Sequence, residues 1–167
     1  FGMWAPNGTP PEVAARLASE IGKALALPAI KTRYEALGAE PVGLNNADFR
    51  KLLATETRQL SAVIRDSKGM VGLNYATSFL RRDGRQSADM GWEDVLAHLD
   101  HLLQHLGEDH VGLGSDFDGA TLPQGIGDVT GLPALQQAML DHGYGADLVR
   151  KISCDNWLAL LDRTWTA

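Results

Sequence analysis

The sequence predicts an α/β fold, in which short buried strands alternate with amphipathic helices. The run EDHVGLGSDFDG at residues 108–119 has an apolar centre closed by Gly and Asp, which is typical of a buried strand and its C-terminal turn. Residues 92–106 have the apolar spacing of a helix that ends at Gly107. A second apolar run, GMVGLNY at residues 69–75, predicts another strand. Helix, glycine, strand and acidic turn together form half of a βαβ unit.

The composition is that of an ordinary globular protein and argues against several functional classes. The 167 residues, 44% hydrophobic and 22% charged, suffice for one domain or two small ones. A net charge of −6 with no stripe of Lys or Arg argues against binding to nucleic acid or an anionic membrane. The single cysteine, Cys154, excludes an intrachain disulfide. Neither a membrane span nor a signal peptide is recognisable, so bacterial cytoplasm and periplasm both stay open.

The first 66 residues predict a helix-rich segment with two short strands, at residues 1–5 and 40–44. Thr9 is expected to cap the first helix, with Pro10 at its first position and Glu12 completing a capping box. Apolar residues at a spacing of four then predict one inward-facing stripe, formed by Val13, Leu17, Ile21 and Leu25.

Two further helices are predicted in this segment. Pro28 ends the first helix and begins the second, which Gly38 terminates. Asn45, together with Asp48, is expected to cap the third helix. The predicted inward face of that helix consists of Phe49, Leu52, Leu53, Leu60, Val63 and Ile64.

The remaining elements follow the strand at residues 108–119. A loop at residues 120–130 leads to a helix at residues 132–142, which Gly143 ends, and one or two helices occupy residues 145–165. The core of this half is expected to rest on the helix at residues 92–106, whose predicted core face consists of Trp92, Val95, Leu96, Leu99, Leu102, Leu103 and Leu106.

Asp116 lies where the second predicted strand ends, which is the end at which parallel α/β folds place their chemistry. A carboxylate there can hold a metal-bound water, accept a proton, or only cap the next turn. The pair of Asp116 and Asp118 also suggests a calcium loop, but such a loop needs further oxygen ligands and a later Glu at fixed spacing, which are absent. Asp116 is therefore the leading candidate for a site residue.

Three histidines, His98, His101 and His105, fall three and four residues apart on the helix at residues 92–106. Helical His pairs at that spacing can bind zinc, but a metalloprotease helix also carries an adjacent Glu base, and none lies between these histidines. The favoured interpretation is the polar flank of an amphipathic helix, with adventitious metal binding as the alternative.

The polar loop at residues 77–89 contains three arginines, Arg81, Arg82 and Arg85. Arginines can hold a substrate carboxylate through bidentate hydrogen bonds. The favoured interpretation is a solvated loop, with carboxylate binding as the alternative.

The run EDHVGLGSDFDG is followed by Pro123, Gly125, Asp128-Val129 and, from Leu132, the letters LPAL. In this order and spacing, these residues make the stretch from about residue 68 to residue 165 resemble the C-terminal part of the membrane (renal) dipeptidase family. Members of that family are zinc metallopeptidases built on a (β/α)₈ barrel. The resemblance implies an incomplete barrel fragment, the last two strand–helix units, because a complete barrel needs about 250 residues.

The same resemblance implies roles for four residues. Asp116 is implied to be catalytic, orienting water or the ammonium group of the substrate, and Asn74, Tyr75 and Asp118 are implied to bind substrate. Zinc is the family's cofactor, as two ions that activate the attacking water. The family's ligands are a His-x-Asp pair on the first strand, a Glu on the third and His residues on the fifth and sixth. These precede the matching part, so no metal ligand is assigned to this chain.

The last helix of the family carries a Gly-x-Asn-x-x-Arg pattern. This chain keeps the asparagine as Asn156 but has Cys154 and Ala159 in place of the glycine and the arginine. The resemblance at this end of the chain therefore departs from the family pattern.

The first part of the chain carries three other motifs: Trp4-Ala-Pro-Asn-Gly-Thr-Pro, Leu37-Gly-Ala-Glu-Pro and Asn45-Asn-Ala-Asp-Phe. They make residues 1–66 resemble the end of periplasmic carboxylate-binding proteins, the receptors of tripartite tricarboxylate uptake systems. The two resemblances meet at residues 66–69, with no flexible linker between them. The predicted domains are residues 1–66, a helix-rich segment of a periplasmic-binding-protein-like fold, and residues 67–167, the barrel fragment, joined in a fused coding sequence.

Three functions stay open from the sequence. The leading hypothesis is a dipeptidase-family fragment that is inactive alone for want of metal ligands, or active with ligands from a second chain. The alternatives are a carboxylate-binding module of a tricarboxylate uptake system and an inert remnant of a gene fusion. The expected partners are a dipeptide substrate and, through the unpaired edges of two parallel strands, further copies of the chain. Neither a nucleic acid partner nor a membrane span is expected.

Overall fold

The computed structural model describes residues 2–3, 5–6 and 8–165. The chain divides into two compact units, Phe1–Thr57 and Arg58–Ala167. The division lies within the third helix, whereas the two resemblances meet near residue 67; that junction stays a prediction. Across the described ranges, every helix is too short or too polar to cross a membrane.

The first unit is helical, as predicted. It contains α1 (Pro11–Leu25), α2 (Pro28–Ala36) and the start of α3 (Asn46–Asp66). Asn45 caps α3, because its Oδ1 accepts hydrogen bonds of 2.9 Å from the backbone N–H groups of Ala47 and Asp48. Gly38 follows α2 with a φ of 69°, the left-handed conformation that suits a helix end.

Local predictions in the first unit are wrong at Thr9 and at residues 40–44. Thr9 does not cap α1, because the helix begins only at Pro11, and the Thr9 hydroxyl donates instead to the Pro6 carbonyl at 2.8 Å. Residues 40–44 form no strand, since a strand needs a neighbour and the strands of the described chain lie in the second unit. The strand predicted at residues 1–5 includes residues 1 and 4, which lie outside the described residues.

The predicted inward stripe of α1 is exposed at Val13 and Leu17 and only partly buried at Ile21 and Leu25. No residue of α1 or α2 is buried, and Val13 and Leu17 are 44% and 51% exposed. On α3 much of the predicted face is open as well, with Leu60 61% and Val63 62% exposed. An apolar stripe marks the face that a helix offers to a neighbour, but it does not supply that neighbour.

The second unit is α/β. Its strands, β1 (Val71–Leu73) and β2 (Val111–Leu113), pair in parallel, with Val71 opposite Val111. Both strands are shorter than predicted. β1 covers only three of the residues 69–75, and β2 is preceded by a 3₁₀ turn at Glu108–His110 and ends at Leu113. The helices are α4 (Thr77–Leu80) and α5 (Trp92–Leu106) between the strands, then α6 (Leu132–His142), α7 (Ala146–Arg150), a π-helical turn (Lys151–Asp155) and α8 (Asn156–Trp165).

The core of the second unit lies between the strands and the helices that follow them. Gly107 ends α5 with a φ of 83° and Gly143 ends α6 with a φ of 106°, as the sequence predicts. α5 buries four residues of its predicted core face, namely Val95, Leu96, Leu99 and Leu106. Fully buried side chains from β2 and the later elements join them: Val111, Leu135, Met139 and Ile152. Burial of this kind is what a parallel strand pair requires.

Side chains of α8 cover part of one strand edge. The carbonyl groups of Val111 and Leu113 accept hydrogen bonds from the Asn156 amide at 2.7 Å and from the Trp157 indole N–H at 2.9 Å. An edge strand without such donors leaves its carbonyls unpaired. The expectation that both strand edges are unpaired is therefore wrong for these two carbonyls of β2.

Candidate functional site

Asp116 lies three residues beyond the end of β2, half-buried and in an unusual backbone conformation. Its φ is +81°, a region that residues other than glycine rarely adopt, although Asp tolerates it better than most. Such a conformation persists only when the surrounding structure holds it, and residues of this kind cluster at binding and active sites. The strand end thus carries a carboxylate in a fixed and strained position.

Asn74 connects the end of β1 to this carboxylate. Its Nδ2 donates a 3.1 Å hydrogen bond to Oδ2 of Asp116, and its Oδ1 accepts one of 2.7 Å from the Ala76 backbone N–H. Because the amide is held at both ends, its orientation is fixed. Two residues that are far apart in sequence meet here because parallel strands bring their C-terminal ends to the same edge.

Backbone hydrogen bonds join the two loops beyond the strands. The Tyr75 N–H donates to the Ser115 carbonyl at 3.0 Å, and the Thr77 N–H donates to the Thr121 carbonyl at 2.9 Å. The segments that carry Asn74 and Asp116 are therefore one connected surface rather than two independent loops.

Gly119 leaves space for the Asp116 side chain. A Cβ added at this position would lie 2.4 Å from Oδ1 of Asp116, which is far inside van der Waals contact. The Gly119 N–H also donates to the Asp116 carbonyl at 3.3 Å, which closes the turn. Sequence reasoning assigned no role to Gly119, although its place at the end of SDFDG was the available signal.

The remaining predicted site residues lie in different environments. Tyr75 is fully buried, its ring 5.9 Å from that of Phe117, and burial raises the pKa of its phenol. Within the described chain its hydroxyl has no hydrogen-bond partner. Asp118 is exposed on the turn after Asp116. Contacts of Tyr75 and Asp118 with a substrate stay predictions.

In the polar loop at residues 77–89, Arg81 forms an ion pair with Asp83 of the same loop. Arg81 donates from Nε and Nη2 to the two carboxylate oxygens of Asp83, both at 2.8 Å, and also from Nη1 to the Asp89 carbonyl. The Arg81 hydrogen bonds hold the pKa of the Asp83 carboxyl well below its usual range. Arg81 is thus engaged within the loop, so it does not offer a free guanidinium to a substrate carboxylate.

The two-zinc centre that the dipeptidase resemblance implies does not fit the side chains that the structure describes. In residues 2–3, 5–6 and 8–165, no group of three or more His, Cys, Asp or Glu side chains is placed to hold a metal ion. The group that faces Asp116 is the amide N–H of Asn74, a hydrogen-bond donor that offers no lone pair to a metal ion. The turn beyond β2 carries the carboxylates of Asp116 and Asp118, but with them no third His, Cys, Asp or Glu of the described residues forms a metal-binding group.

Comparison with known proteins gives one consistent result. A family model described as membrane dipeptidase (peptidase family M19) matches residues 32–166. The crystal structure of a metallopeptidase from Rhodobacter sphaeroides, liganded with a phosphinate mimic of the dipeptide L-Ala-D-Ala, is 71% identical, with a TM-score of 0.62 and coverage of 65% of this chain and 31% of that one. The crystal structure of dipeptidase AC, a metallopeptidase of family M19, is 69% identical, with a TM-score of 0.63 and coverage of 66% and 32%.

A curated relative extends the comparison. An uncharacterised protein from the pqqA 5′ region of Klebsiella pneumoniae is 46% identical over 65% of this chain and 40% of its own length. The chain thus spans two fifths or less of the length of each of these three proteins.

These similarities confirm the dipeptidase resemblance and the helix-rich α/β fold that goes with it. The family match begins at residue 32, inside α2, and therefore includes part of the segment that resembles carboxylate receptors. None of the three proteins supports the receptor resemblance, which stays a prediction.

Proposed function

The chain belongs to the membrane dipeptidase family, peptidase family M19, and we propose that its two strand ends form the substrate-binding wall of a dipeptide-hydrolysing site. The observation that carries this proposal is the hydrogen bond of 3.1 Å between Asn74 and Asp116, across the C-terminal ends of two parallel strands. Ligands of parallel α/β folds bind at this end of the strands. The phosphinate mimic of L-Ala-D-Ala in the Rhodobacter sphaeroides structure supports a dipeptide as the ligand class.

Asp116 is the residue to which we assign recognition of the free ammonium group of the dipeptide. A carboxylate has about four lone-pair sites, and Asn74 occupies one of them. The remaining sites accept N–H donors from an ammonium group or hold a water molecule. Half-burial strengthens this attraction, because the effective dielectric constant near Asp116 is below that of bulk water.

Asn74 is assigned a positioning role as well as a substrate contact. It is held by the Ala76 N–H, and it holds Asp116 in turn. Its second amide hydrogen remains available to a carbonyl oxygen of the ligand. Asp118 adds a second negative charge on the same turn. Tyr75 supports that turn, because its ring packs on the ring of Phe117, the residue after Asp116.

We further propose that the chain alone does not turn over dipeptides. Amide hydrolysis needs many kcal/mol of transition-state stabilisation, which one carboxylate and one amide do not supply. The side chains described above do not assemble a metal centre of three or more ligands. In an assay of L-Ala-D-Ala hydrolysis with and without added zinc, we expect no turnover at either zinc level. Turnover that a chelator and Asp116→Asn both abolish would contradict this proposal.

The binding proposal is tested separately from turnover. Titration of the chain with L-Ala-D-Ala, followed by nuclear magnetic resonance, should give saturable binding that Asp116→Asn weakens at least tenfold. Asp147→Asn is the matched control, since it removes the same charge from an exposed position at the start of α7 and should change the affinity less than twofold. Equal effects of the two variants would show that the carboxylate of Asp116 is not the recognition group.

The ligand offers a second control. N-acetyl-L-Ala-D-Ala has the same carboxylate and side chains but lacks the ammonium group. If Asp116 recognises that group, the acetylated ligand binds at least tenfold more weakly to the wild-type chain, and Asp116→Asn removes the difference. Similar affinities of the wild-type chain for the two ligands would assign Asp116 to another part of the dipeptide.

A further inference from the structure

We propose that His101 and His105 of α5 form a binding site for one divalent transition-metal ion of the class Cu²⁺, Ni²⁺ or Zn²⁺. The proposed function makes no use of these residues. The site is a two-histidine chelate on the surface of the second unit, with water in its remaining coordination positions.

Helix geometry brings the two imidazoles together. They are four residues apart on a regular helix, so they project from the same face on successive turns. Their ring centroids are 4.4 Å apart and the ring planes are inclined by 57°. α5 is anchored by four buried residues, so its backbone holds the pair in place without the metal. Small rotations about the side-chain bonds bring one nitrogen of each ring to a common ion.

The ring nitrogens of this pair are unoccupied by other groups. The other three histidines each use a ring nitrogen: His98 lies 3.1 Å from the Leu80 carbonyl, His110 lies 2.7 Å from the Gly69 carbonyl, and His142 lies 3.0 Å from the Asp100 carboxylate. For His101 and His105, no such hydrogen bond is formed within the described part of the chain. Both residues therefore bind a metal without first breaking a protein contact.

Two electrostatic influences act on this site. Burial lowers the pKa of His101, and the positive charges that His105 and His98 carry when protonated lower it further. Arg65 donates a hydrogen bond to the His105 carbonyl, and its positive charge limits how tightly a dication binds nearby.

The donor set selects the class of ion. Imidazole suits Zn²⁺, Cu²⁺ and Ni²⁺, whereas Mg²⁺ and Ca²⁺ prefer oxygen ligands. Elsewhere in the described chain there is no third His, Cys, Asp or Glu that completes a metal-binding group, so two protein ligands hold the ion. Among these ions the usual order of affinity puts Cu²⁺ first.

The pair lies away from the proposed dipeptide site. α5 leads from the C-terminal end of β1 back to the N-terminal end of β2, and His105 is in its last turn. Asp116 lies beyond the opposite end of β2. Zinc bound at the His101–His105 pair therefore lies away from the strand ends, and the pair must be removed by mutation before a zinc effect on activity is interpreted.

Titration of the whole chain with Ni²⁺, followed by nuclear magnetic resonance, tests the proposal. We expect one ion per chain, with paramagnetic broadening that begins at the rings of His101 and His105 and reaches His110 and His142 only at higher concentration. His101→Gln and His105→Gln should each weaken binding at least tenfold, because each leaves a single imidazole. His110→Gln is the matched control, since it also removes one of the five histidines, and it should change the affinity less than twofold.

The results that would overturn the two-histidine site differ from those that would support it. Broadening that starts at His110 or His142, or single variants that bind as tightly as the wild-type chain, would overturn the proposal. A Cu²⁺ complex with resolved coupling to two nitrogens in its electron paramagnetic resonance spectrum, reduced to one in either variant, would support it. Folding of each variant is checked by its far-ultraviolet circular dichroism spectrum, which these surface substitutions should leave unchanged.

Discussion

The two units of this chain use similar helical patterns with opposite results. In the first unit α1 has a clear apolar stripe, yet Val13 and Leu17 remain exposed and no residue of the helix is buried. In the second unit α5 has the same kind of stripe, and Val95 and Leu99 are fully buried. The difference is the parallel strand pair, which gives α5 a surface to pack against. A stripe predicts a helix, but burial depends on a partner element.

A pair of leucine substitutions should give the largest difference in stability between the two units. Leu99→Ala leaves a cavity in the core and should lower the free energy of unfolding by about 2–5 kcal/mol. Leu17→Ala removes the same atoms from an exposed position and should change the free energy of unfolding by less than about 0.5 kcal/mol. Urea unfolding followed by circular dichroism measures both. Similar losses would mean that Leu17 is buried in solution.

The covered edge of β2 offers the next largest effect. Asn156→Ala leaves the carbonyls of Glu108 and Val111 without the amide that donates to both at 2.7 Å, which should cost about 1–3 kcal/mol. Asn45→Ala, the counterpart in the first unit, removes only a helix cap and should cost about 0.5–2 kcal/mol. Urea unfolding and amide exchange at residues 108–113 measure the change. Unaltered exchange in Asn156→Ala would contradict the role given to this asparagine.

Glycine substitutions in the two units should change stability by smaller amounts and in opposite directions. Gly119→Ala should displace the Asp116 carboxylate, shift the Asn74 amide resonance and weaken dipeptide binding severalfold, at a stability cost of about 1 kcal/mol or less. Gly22→Ala, within α1 and with open space around it, should stabilise by about 0.5–1 kcal/mol. An unshifted Asn74 resonance in Gly119→Ala would show that Asp116 does not depend on this space.

The smallest expected effect is a pH dependence in the second unit. Burial tends to raise the pKa of the Asp100 carboxyl, but hydrogen bonds from Tyr144 at 2.6 Å and from His142 at 3.0 Å lower it below its ordinary value. A carboxyl with a lowered folded-state pKa stabilises the fold above its unfolded pKa, about 3.9, and loses that contribution as the pH falls through the folded value. Asp100→Asn should therefore flatten the loss of stability below about pH 4. An unchanged pH profile would contradict this.

Much of the local structure followed from the sequence. The cap at Asn45, the helix ends at Gly107 and Gly143 and the core face of α5 depend on residues close together in the chain, and each is confirmed. The cap expected at Thr9 failed because two consecutive prolines allow the helix to start later. Local patterns thus predicted helices well and their exact starts less well.

The candidate site was predictable only in part. That the ends of two parallel strands meet follows from the βαβ order, and the dipeptidase resemblance implied that Asn74 and Asp116 both serve the site. The hydrogen bond between them was not predicted. The left-handed backbone of Asp116 and the space left by Gly119 lie within a single turn, but a pattern of apolar and polar residues does not specify them. The full burial of Tyr75 depends on contacts with residues distant in the sequence, such as Phe117. The hydrogen bond that Asn156 donates to the Val111 carbonyl could not be predicted either, because the apolar pattern of a helix does not show which strand carbonyl lacks a partner.

The most direct test of the central claim is a map of chemical-shift changes over the whole chain on titration with L-Ala-D-Ala, beside a parallel titration with a tricarboxylate. The proposed dipeptide site predicts changes at the Asn74 amide and at residues 114–119, with residues 8–57 unaffected and no response to the tricarboxylate. Dipeptide-induced changes confined to residues 8–57, or a saturable tricarboxylate response there, would contradict the claim. That result would place the binding function in the first unit.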